Sequence, residues 1–598
     1  MCPTSGRLLS APKAIVGCTI DEILIKISPF GYYQLYTILQ YWLNECYGIM
    51  SVGFFAFAGL QPQWRCLGAN HSEEFAQDCD VFYSCASQNL SFHAPFNPVA
   101  ADFHLVCDRA FYGTLISTLQ MAGVLIGSLA FGSVMDRFGR KWPCVVAVTV
   151  QAVFSSVSAF SPSWIVLAVL QMIAAISMGC RNVTHFVLIA ETVTNHERYL
   201  LRSLAGCLFV SFSCQTLVAF LAADWRKYLI YSNVAAVPAI LSLVFCYESP
   251  RWLLQQEKQD QAVLILRQIA KVNGHAKDMP ENVHLITVIN SKHKMNTMDL
   301  FRNVLLSVFS VYVIALNFSA YITFTGMWLN TGNLVPDNVY FGNLLVAPLS
   351  LVSISVAVIE FKIPNWVNRR GLLMIALGLT ALFNLVTGVM SAVSPDSTVT
   401  WMRIVFGACG LATARLCIDI AMVTFIELFP TLLRGNVNAL GQGFGRIGST
   451  LAPQIIGIGI YYKPVPYVIF GSALLITLLA TYLVLPNTNQ MELAEIEKLA
   501  AAPLESQDDQ GPLKSPQDYA LSIPLPLGIR KLSSSKFLNF FGDELEKSKE
   551  QENYKGLVRK TSDPIIRPPF ARLLEEERRP RLSLSDIPLL PITEYSSC

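Results

Sequence analysis

Charged side chains are scarce: Asp, Glu, Lys and Arg make up 14% of the 598 residues, against about 25% in soluble domains. With 53% hydrophobic residues and a mean hydropathy of +0.44, the composition excludes an ordinary water-soluble domain and requires an integral membrane protein. Catalytic signatures are missing too. There is no P-loop, no His-Glu-x-x-His and no Gly-x-Ser-x-Gly in a soluble context, and the 8 histidines are scattered instead of grouped at metal-ligand spacing. No enzyme, metal or cofactor is therefore expected. The net charge is only +2, and the basic residues sit in short loops and in the tail, so no face is offered to a nucleic acid. No cleavable signal peptide is expected either. The first apolar run follows Asp21-Glu22 and Gly31-Tyr32-Tyr33-Gln34 and is long enough to span.

Apolar windows long enough to cross about 30 Å of hydrocarbon fall at 31–58, 110–131, 142–160, 164–190, 202–222, 227–247, 303–325, 339–361, 371–393, 400–426, 436–460 and 465–485. An all-α protein of twelve transmembrane helices is expected. Its parts are an N-terminus 1–30, a six-helix half 31–247 with a polar loop 59–109, a helical segment 248–302, a second six-helix half 303–485 and a tail 486–598. The loops on one side carry about 17 Lys and Arg against about six on the other, which makes the first side cytoplasmic. Both termini then face the cytoplasm, and the chain is expected as a multi-pass protein of the plasma membrane. The segment opening at Glu248-Ser-Pro-Arg-Trp252 is amphipathic and should pack beneath the halves. The tail, rich in Pro, Ser and charge, is expected to be largely disordered. It offers Arg578 to Ser583 as a basophilic kinase site and Tyr595 to Cys598 as a docking motif for cytoplasmic proteins.

Of the 15 cysteines, Cys66, Cys79, Cys85 and Cys107 fall in loop 59–109, beside glycosylation sequons at Asn70 and Asn89. An even set in such a loop implies two disulfides in an oxidising compartment, with the pairing left open. The others lie mostly in apolar runs, as small core residues. Two more sequons, at Asn182 and Asn317, lie inside apolar runs and are expected to stay unused.

The turns between windows repeat. Glu191 to Arg198 follows the fourth window and Glu427 to Arg434 the tenth, each with an acid and an arginine seven apart. GSVMDRFGRK (132–141) follows the second window, and a weaker echo, Trp366 to Gly371, follows the eighth. In that turn Asp136 can cap a neighbouring helix, while Arg137, Arg140 and Lys141 can hold lipid headgroups or acidic partners. Such ion pairs bias opening toward one side or the other. A duplicated six-helix half in parallel orientation is the pattern of a major-facilitator transporter, with its substrate site near the midplane between halves.

Five charges fall near midplane: Glu45, Arg181, Arg415, Asp419 and Arg446. Arg446 lies about twelve residues past Arg434, roughly 18 Å into the bilayer. Each charge costs roughly 2.5–3.5 kcal/mol even on the mild insertion scale. Arg415 and Asp419 are four apart on one helical face and can neutralise one another. If Glu45 takes one of the two remaining arginines, one guanidinium is left for a substrate carboxylate or sulfate. Arg446 is the first candidate for that role. Tyr321, Asn317, Gln215 and Asn44 could add stacking and hydrogen bonds.

The chain resembles the organic cation/anion/zwitterion transporters, solute carrier family 22 of the major facilitator superfamily, over about residues 21–490. The residues that carry the resemblance are Phe30-Gly31-Tyr32-Tyr33-Gln34, Leu105-Val106-Cys107, GSVMDRFGRK, Glu248 to Leu253, Asn317-Phe-Ser-Ala-Tyr321 and Glu427-Leu-Phe-Pro-Thr431. In that family the cation branch has an aspartate where Arg446 stands, and the anion branch an arginine in an R-V-G-S run similar to Arg446-Ile-Gly-Ser449. The resemblance therefore implies the anion branch. Several features depart from it: no Lys or Arg falls near Pro348 to Leu351, Ile322 replaces the second aromatic beside Tyr321, loop 59–109 is short, the turn Trp366 to Gly371 is degraded, and Arg181, Glu45 and the Arg415–Asp419 pair are unusual for the family. The expectation is a secondary transporter of small organic anions, exchanged for a counter-anion or coupled to a proton on Glu45 or Asp419. A carrier of carnitine-like zwitterions, a carrier of organic cations and a non-transporting receptor or scaffold stay open as alternatives.

Overall fold

A computed structural model describes residues 16–27, 31–67, 75, 77–85, 89–193, 207–279, 283–285, 297–301, 304–334, 339–349, 351, 369–393, 397–429 and 433–485. Each of the twelve apolar windows holds a helix. The first half consists of α1 (Tyr32–Val52), α2 (Ala110–Ala130), α3 (Lys141–Ser158), α4 (Trp164–Thr192), α5 (Cys207–Ala222) and α6 (Trp225–Val244). The second consists of α7 (Val304–Leu329), α8 (Val339–Leu349), α9 (Arg369–Ala392), α10 (Ser397–Leu428), α11 (Arg434–Tyr461) and α12 (Val465–Val484). Among the described residues 7 helices are both long and apolar enough to cross a membrane. α1, α3 and α11 are long enough but less apolar, and α1 turns Gln34, Gln40 and Asn44 into the interior. α5 and α8 are shorter apolar helices, and parts of their windows lie outside the described residues.

Local chemistry sets several helix starts. The Ser163 hydroxyl accepts from the Val166 amide at the head of α4. The Asp224 carboxylate accepts from the amides of Arg226 and Lys227 at the head of α6, which satisfies donors that have no partner within the helix.

The packing repeats after six helices. α1 packs on α5 as α7 packs on α11, α2 on α4 as α8 on α10, α3 on α4 as α9 on α10, and α3 on α6 as α9 on α12. Two seams join the halves, α2 against α11 and α5 against α8, and they too are related by the six-helix step. The α2–α4 contact is close because both faces are small. A Cβ at Gly123 or Gly127 would run into the backbone carbonyls of Met172 and Ile176, and one at Gly179 into that of Val124.

Two further pieces lie at opposite ends of the bundle. At one end, strand β2 (Gln63–Cys66) pairs antiparallel with β3 (Leu90–His93). Disulfides Cys66–Cys85 and Cys79–Cys107 tie this loop together and resolve the pairing that the sequence leaves open. At the other end the helices Ile20–Lys26, Pro250–Gln255 and Gln259–Val272 form a small core of their own, with Ile23, Leu24, Tyr33, Trp252, Leu266 and Ile269 inside. Strand β1 (Val16–Cys18) pairs in parallel with β4 (Val283–Leu285) there. The N-terminal helix starts at a capping box, in which the Thr19 hydroxyl accepts from the Glu22 amide and the Glu22 carboxylate from the Thr19 amide.

Candidate functional site

Three arginines on three helices face the bundle interior, and two of them are neutralised. Arg181 on α4 has no solvent exposure. Its Nη1 lies 3.2 Å from Glu45 Oε1 on α1 and donates to the Asn44 carbonyl, while Nη2 donates to Asn182 Oδ1. Gly48, one turn after Glu45, makes room for this guanidinium, since a Cβ there would overlap Nη2. Arg415 and Asp419 form a two-point pair on α10, with Nη2–Oδ1 at 3.0 Å and Nε–Oδ2 at 3.3 Å. The Arg415 guanidinium also lies over the Phe324 ring, 5.9 Å from its centroid. Tyr41 and Cys207 lie within electrostatic reach of both pairs, so the pairs flank a common interior.

Arg446 on α11 differs. It is half-buried, and among the described residues its guanidinium has no carboxylate partner. Its neighbour is the Tyr321 ring on α7, 5.7 Å away to the centroid, in the range of a cation–π contact. The Tyr321 hydroxyl donates to Gln442 Oε1 at 2.6 Å, and Gln442 stands one turn before Arg446. Gly445 lets α7 come this close, because a Cβ there would strike the Tyr321 ring at 2.5 Å. Tyr321, Gln442 and Arg446 therefore form one unit, with an aromatic face beside a cation that can accept an anion without first breaking an ion pair.

Other polar residues singled out in the sequence have local partners. The Asn317 amide donates to the Val313 carbonyl within its own helix, and Gln215 donates to the Gly53 carbonyl at the end of α1. Asn44 donates to Gln40 and Ala239 carbonyls and to the Ser242 hydroxyl. Gln442, Phe324 and the buried His185, whose Nε2 meets Gln40 Oε1 at 2.9 Å, belong to this interior but were not singled out. Phe324 and Gln442 had a signal in their spacing, three after Tyr321 and four before Arg446.

At the end opposite the disulfides, the turn 132–141 docks on the segment that begins at Glu248. Gly139 has φ 97°, a conformation that suits glycine. The Glu248 carboxylate accepts from the amides of Arg140, Lys141 and Ser249, so the helix cap expected of Asp136 comes from Glu248. Arg140 is buried and reaches Asp136 at 2.8 Å and Glu191 at 3.3 Å. Burial alone would lower its pKa, but the Glu191 and Asp136 carboxylates hold the guanidinium above its usual value. Arg137 stays exposed over the Phe138 ring. Glu191 thus pairs with Arg140, and Arg198 lies outside the described residues. Arg251 binds Asp21 at 2.6 Å and also donates to the carbonyls of Glu191 and Val193. Glu427 falls in the last turn of α10 and Arg434 opens α11, but their side chains lie outside the described residues. So do Asn70 and the tail from 486, whereas Asn89 is exposed.

A family described as sugar (and other) transporter matches residues 53–500. The chain belongs to that family. It is a secondary transporter, not an enzyme. The human organic cation/carnitine transporter 2 is 28% identical over 462 residues, which are 74% of this chain and 77% of that one. Human solute carrier family 22 member 10 is 25% identical over 452 residues, 73% of this chain and 81% of that one. These names bear out the resemblance read from the motifs. Among solved structures, the partially occluded inward open conformation of the xylose transporter XylE from E. coli superposes with a TM-score of 0.54 at 16% identity, over 77% of this chain and 99% of that one. That likeness shows the major facilitator fold.

In this transporter the two halves are bonded to each other at the disulfide end. Gln454 on α11 donates to the Thr118 hydroxyl on α2 at 2.7 Å, and Asn343 on α8 donates to the Thr216 hydroxyl on α5 at 2.9 Å. The Tyr340 hydroxyl donates to the Pro95 carbonyl, and its ring stacks on Phe57. Among the described residues a side-chain hydrogen bond thus crosses each of the two seams, and the rings of Phe220 and Tyr340 also meet across α5 and α8.

Proposed function

We propose that this transporter moves small organic anions across the plasma membrane, with Arg446 as the contact for the substrate's carboxylate or sulfate. The carrying observation is that Arg181 and Arg415 have carboxylate partners and Arg446 has none among the described residues. Tyr321 offers a face for an aromatic or apolar body, held in place by Gln442. The positive-inside count supports cytoplasmic termini with loop 59–109 outside, and the two disulfides in that loop agree with an oxidising exterior.

An inside-negative potential opposes anion entry by about 2.3 kcal/mol per charge per 100 mV. Uptake then needs exchange for an internal anion or a co-transported cation, and exchange is the route put to the test. The test is uptake of labelled organic anions with and without a preloaded dicarboxylate, in cells expressing wild type, Arg446→Lys and Arg446→Gln. Preloading should stimulate wild-type uptake, Arg446→Lys should keep flux at a raised KM, and Arg446→Gln should lose it. Equal uptake by all three would defeat the proposal.

A second reading, a carrier of zwitterions, is favoured by the relative named as a cation/carnitine transporter. A zwitterion's ammonium would be held by a carboxylate or an aromatic face, and of these groups Glu45 and Asp419 are both engaged by arginines. Carnitine uptake that is lost in both Glu45→Gln and Asp419→Asn, with no anion uptake by wild type, would favour this reading.

A further inference from the structure

A cavity lies away from Arg446, at the disulfide end. It has a volume of about 480 Å³ and lies between the tied loop and the ends of α7 to α12, within the range that holds a small organic molecule. Its described lining includes Arg403, Lys463 and His93, the neutral amides of Gln63 and Asn330, and Tyr467, but no Asp or Glu. Arg403 on α10 is fixed by one bond, from Nη2 to the Leu334 carbonyl at 2.8 Å, while its buried Nε has no hydrogen-bond partner among the described residues. The Tyr467 hydroxyl, which accepts from the Asn330 amide at 2.8 Å, lies within electrostatic reach of Arg403. A cleft with fixed charge of one sign and low-dielectric walls concentrates the counter-ion.

A smaller space of about 40 Å³ adjoins this cavity, shares Leu60, Gln61 and Ile456 with it and continues to Ser117 and Pro453. That has room for a few waters and not for an organic solute. Pro453 stands seven residues beyond Arg446 on α11, roughly 10 Å along the helix, and the Gln454–Thr118 bond crosses the seam beside it.

We propose that the 480 Å³ cavity is a second anion site, which binds a small carboxylate or sulfate through Arg403 and Lys463 above the closed contact of the two halves. It is built from residues separate from the Tyr321–Gln442–Arg446 unit and so stands or falls apart from it. The test is equilibrium binding of radiolabelled benzoate and of radiolabelled inorganic sulfate to the purified full-length protein. The proteins compared are wild type, Arg446→Gln, Arg403→Gln/Lys463→Gln and Lys463→Glu. Lys463 is exposed, so Lys463→Glu leaves the Arg403 bond to Leu334 in place and guards against misfolding of the double variant. The expected result is that Arg446→Gln still binds at least one of the two anions, and that both cavity variants weaken this remaining site by about tenfold or more. If Arg446→Gln binds neither anion, or if Lys463→Glu and the double variant bind as wild type does, the proposal is overturned. If instead the cavity variants lose binding and Arg446→Gln binds like wild type, the outer site holds and the anion role of Arg446 fails.

Discussion

Arg181 shows what a buried charge costs in this chain. It has no exposure, and its carboxylate partner comes from another helix. Breaking such a pair from one side typically costs about 3–5 kcal/mol, because the remaining charge stays buried. Glu45→Gln should therefore lower the thermal unfolding midpoint of the purified protein strongly, and Arg181→Met added to it should restore part of the loss. A double variant no better than the single one would show that the pair is not coupled. Gly48→Ala should act like Glu45→Gln, since its methyl would occupy the place of Arg181 Nη2. At Tyr321 the ring and the hydroxyl can be separated. Tyr321→Phe keeps the face over which Arg446 lies and should leave KM nearly unchanged, whereas Tyr321→Ala removes a contact worth about 0.5–2 kcal/mol and should raise it by about 2- to 30-fold. The five midplane charges were legible in the sequence because charge is so costly there. The Arg415–Asp419 pair was legible because four residues bring both onto one helical face. The Arg181–Glu45 pair depends on how α4 packs against α1, which spacing does not encode; Gln442 shares a helical face with Arg446 by its spacing of four, but its bond to Tyr321 depends on how α7 packs against α11.

Among the elements, the cap on α3 is the least local. Glu248 accepts from Arg140 at a sequence separation of 108, so the turn 132–141 reads as charged and glycine-rich without showing what it docks on. Glu248→Ala would leave three amides without their acceptor. Unmet buried donors cost about 1–3 kcal/mol each at most, so this variant should unfold at a clearly lower temperature, as Gly139→Ala should through its φ of 97° and its contact with Glu248. Differential scanning fluorimetry on both variants checks this, and unchanged midpoints would contradict the capping role. The small helix Ile20–Lys26 was hidden for a related reason. Its capping box at Thr19 and Glu22 is visible in the sequence, but it is too short to stand alone, and its apolar face finds its partners beyond residue 250.

For the whole molecule, twelve helices and a duplicated half were legible, because spans declare themselves by length and hydropathy and the repeat by its turns. The state was not, since it depends on which end of the seams is bonded. Here Gln454–Thr118 and Asn343–Thr216 close the disulfide end. Each is worth about 0.5–1.5 kcal/mol, so removing both with Gln454→Ala/Asn343→Ala should shift the balance between conformations by roughly tenfold. A cysteine placed at Ser117, in the narrow space between α2 and α11, should then react faster with a membrane-impermeant thiol reagent added from the disulfide side. An unchanged rate would mean that these bonds do not hold the seam. Whether Arg446 meets the anion is decided by uptake of a panel of labelled organic anions into cells bearing equal surface amounts of wild type and Arg446→Asp. Wild type should show saturable uptake of at least one anion and Arg446→Asp none; uptake of that anion by Arg446→Asp at the wild-type rate would rule out this role for Arg446.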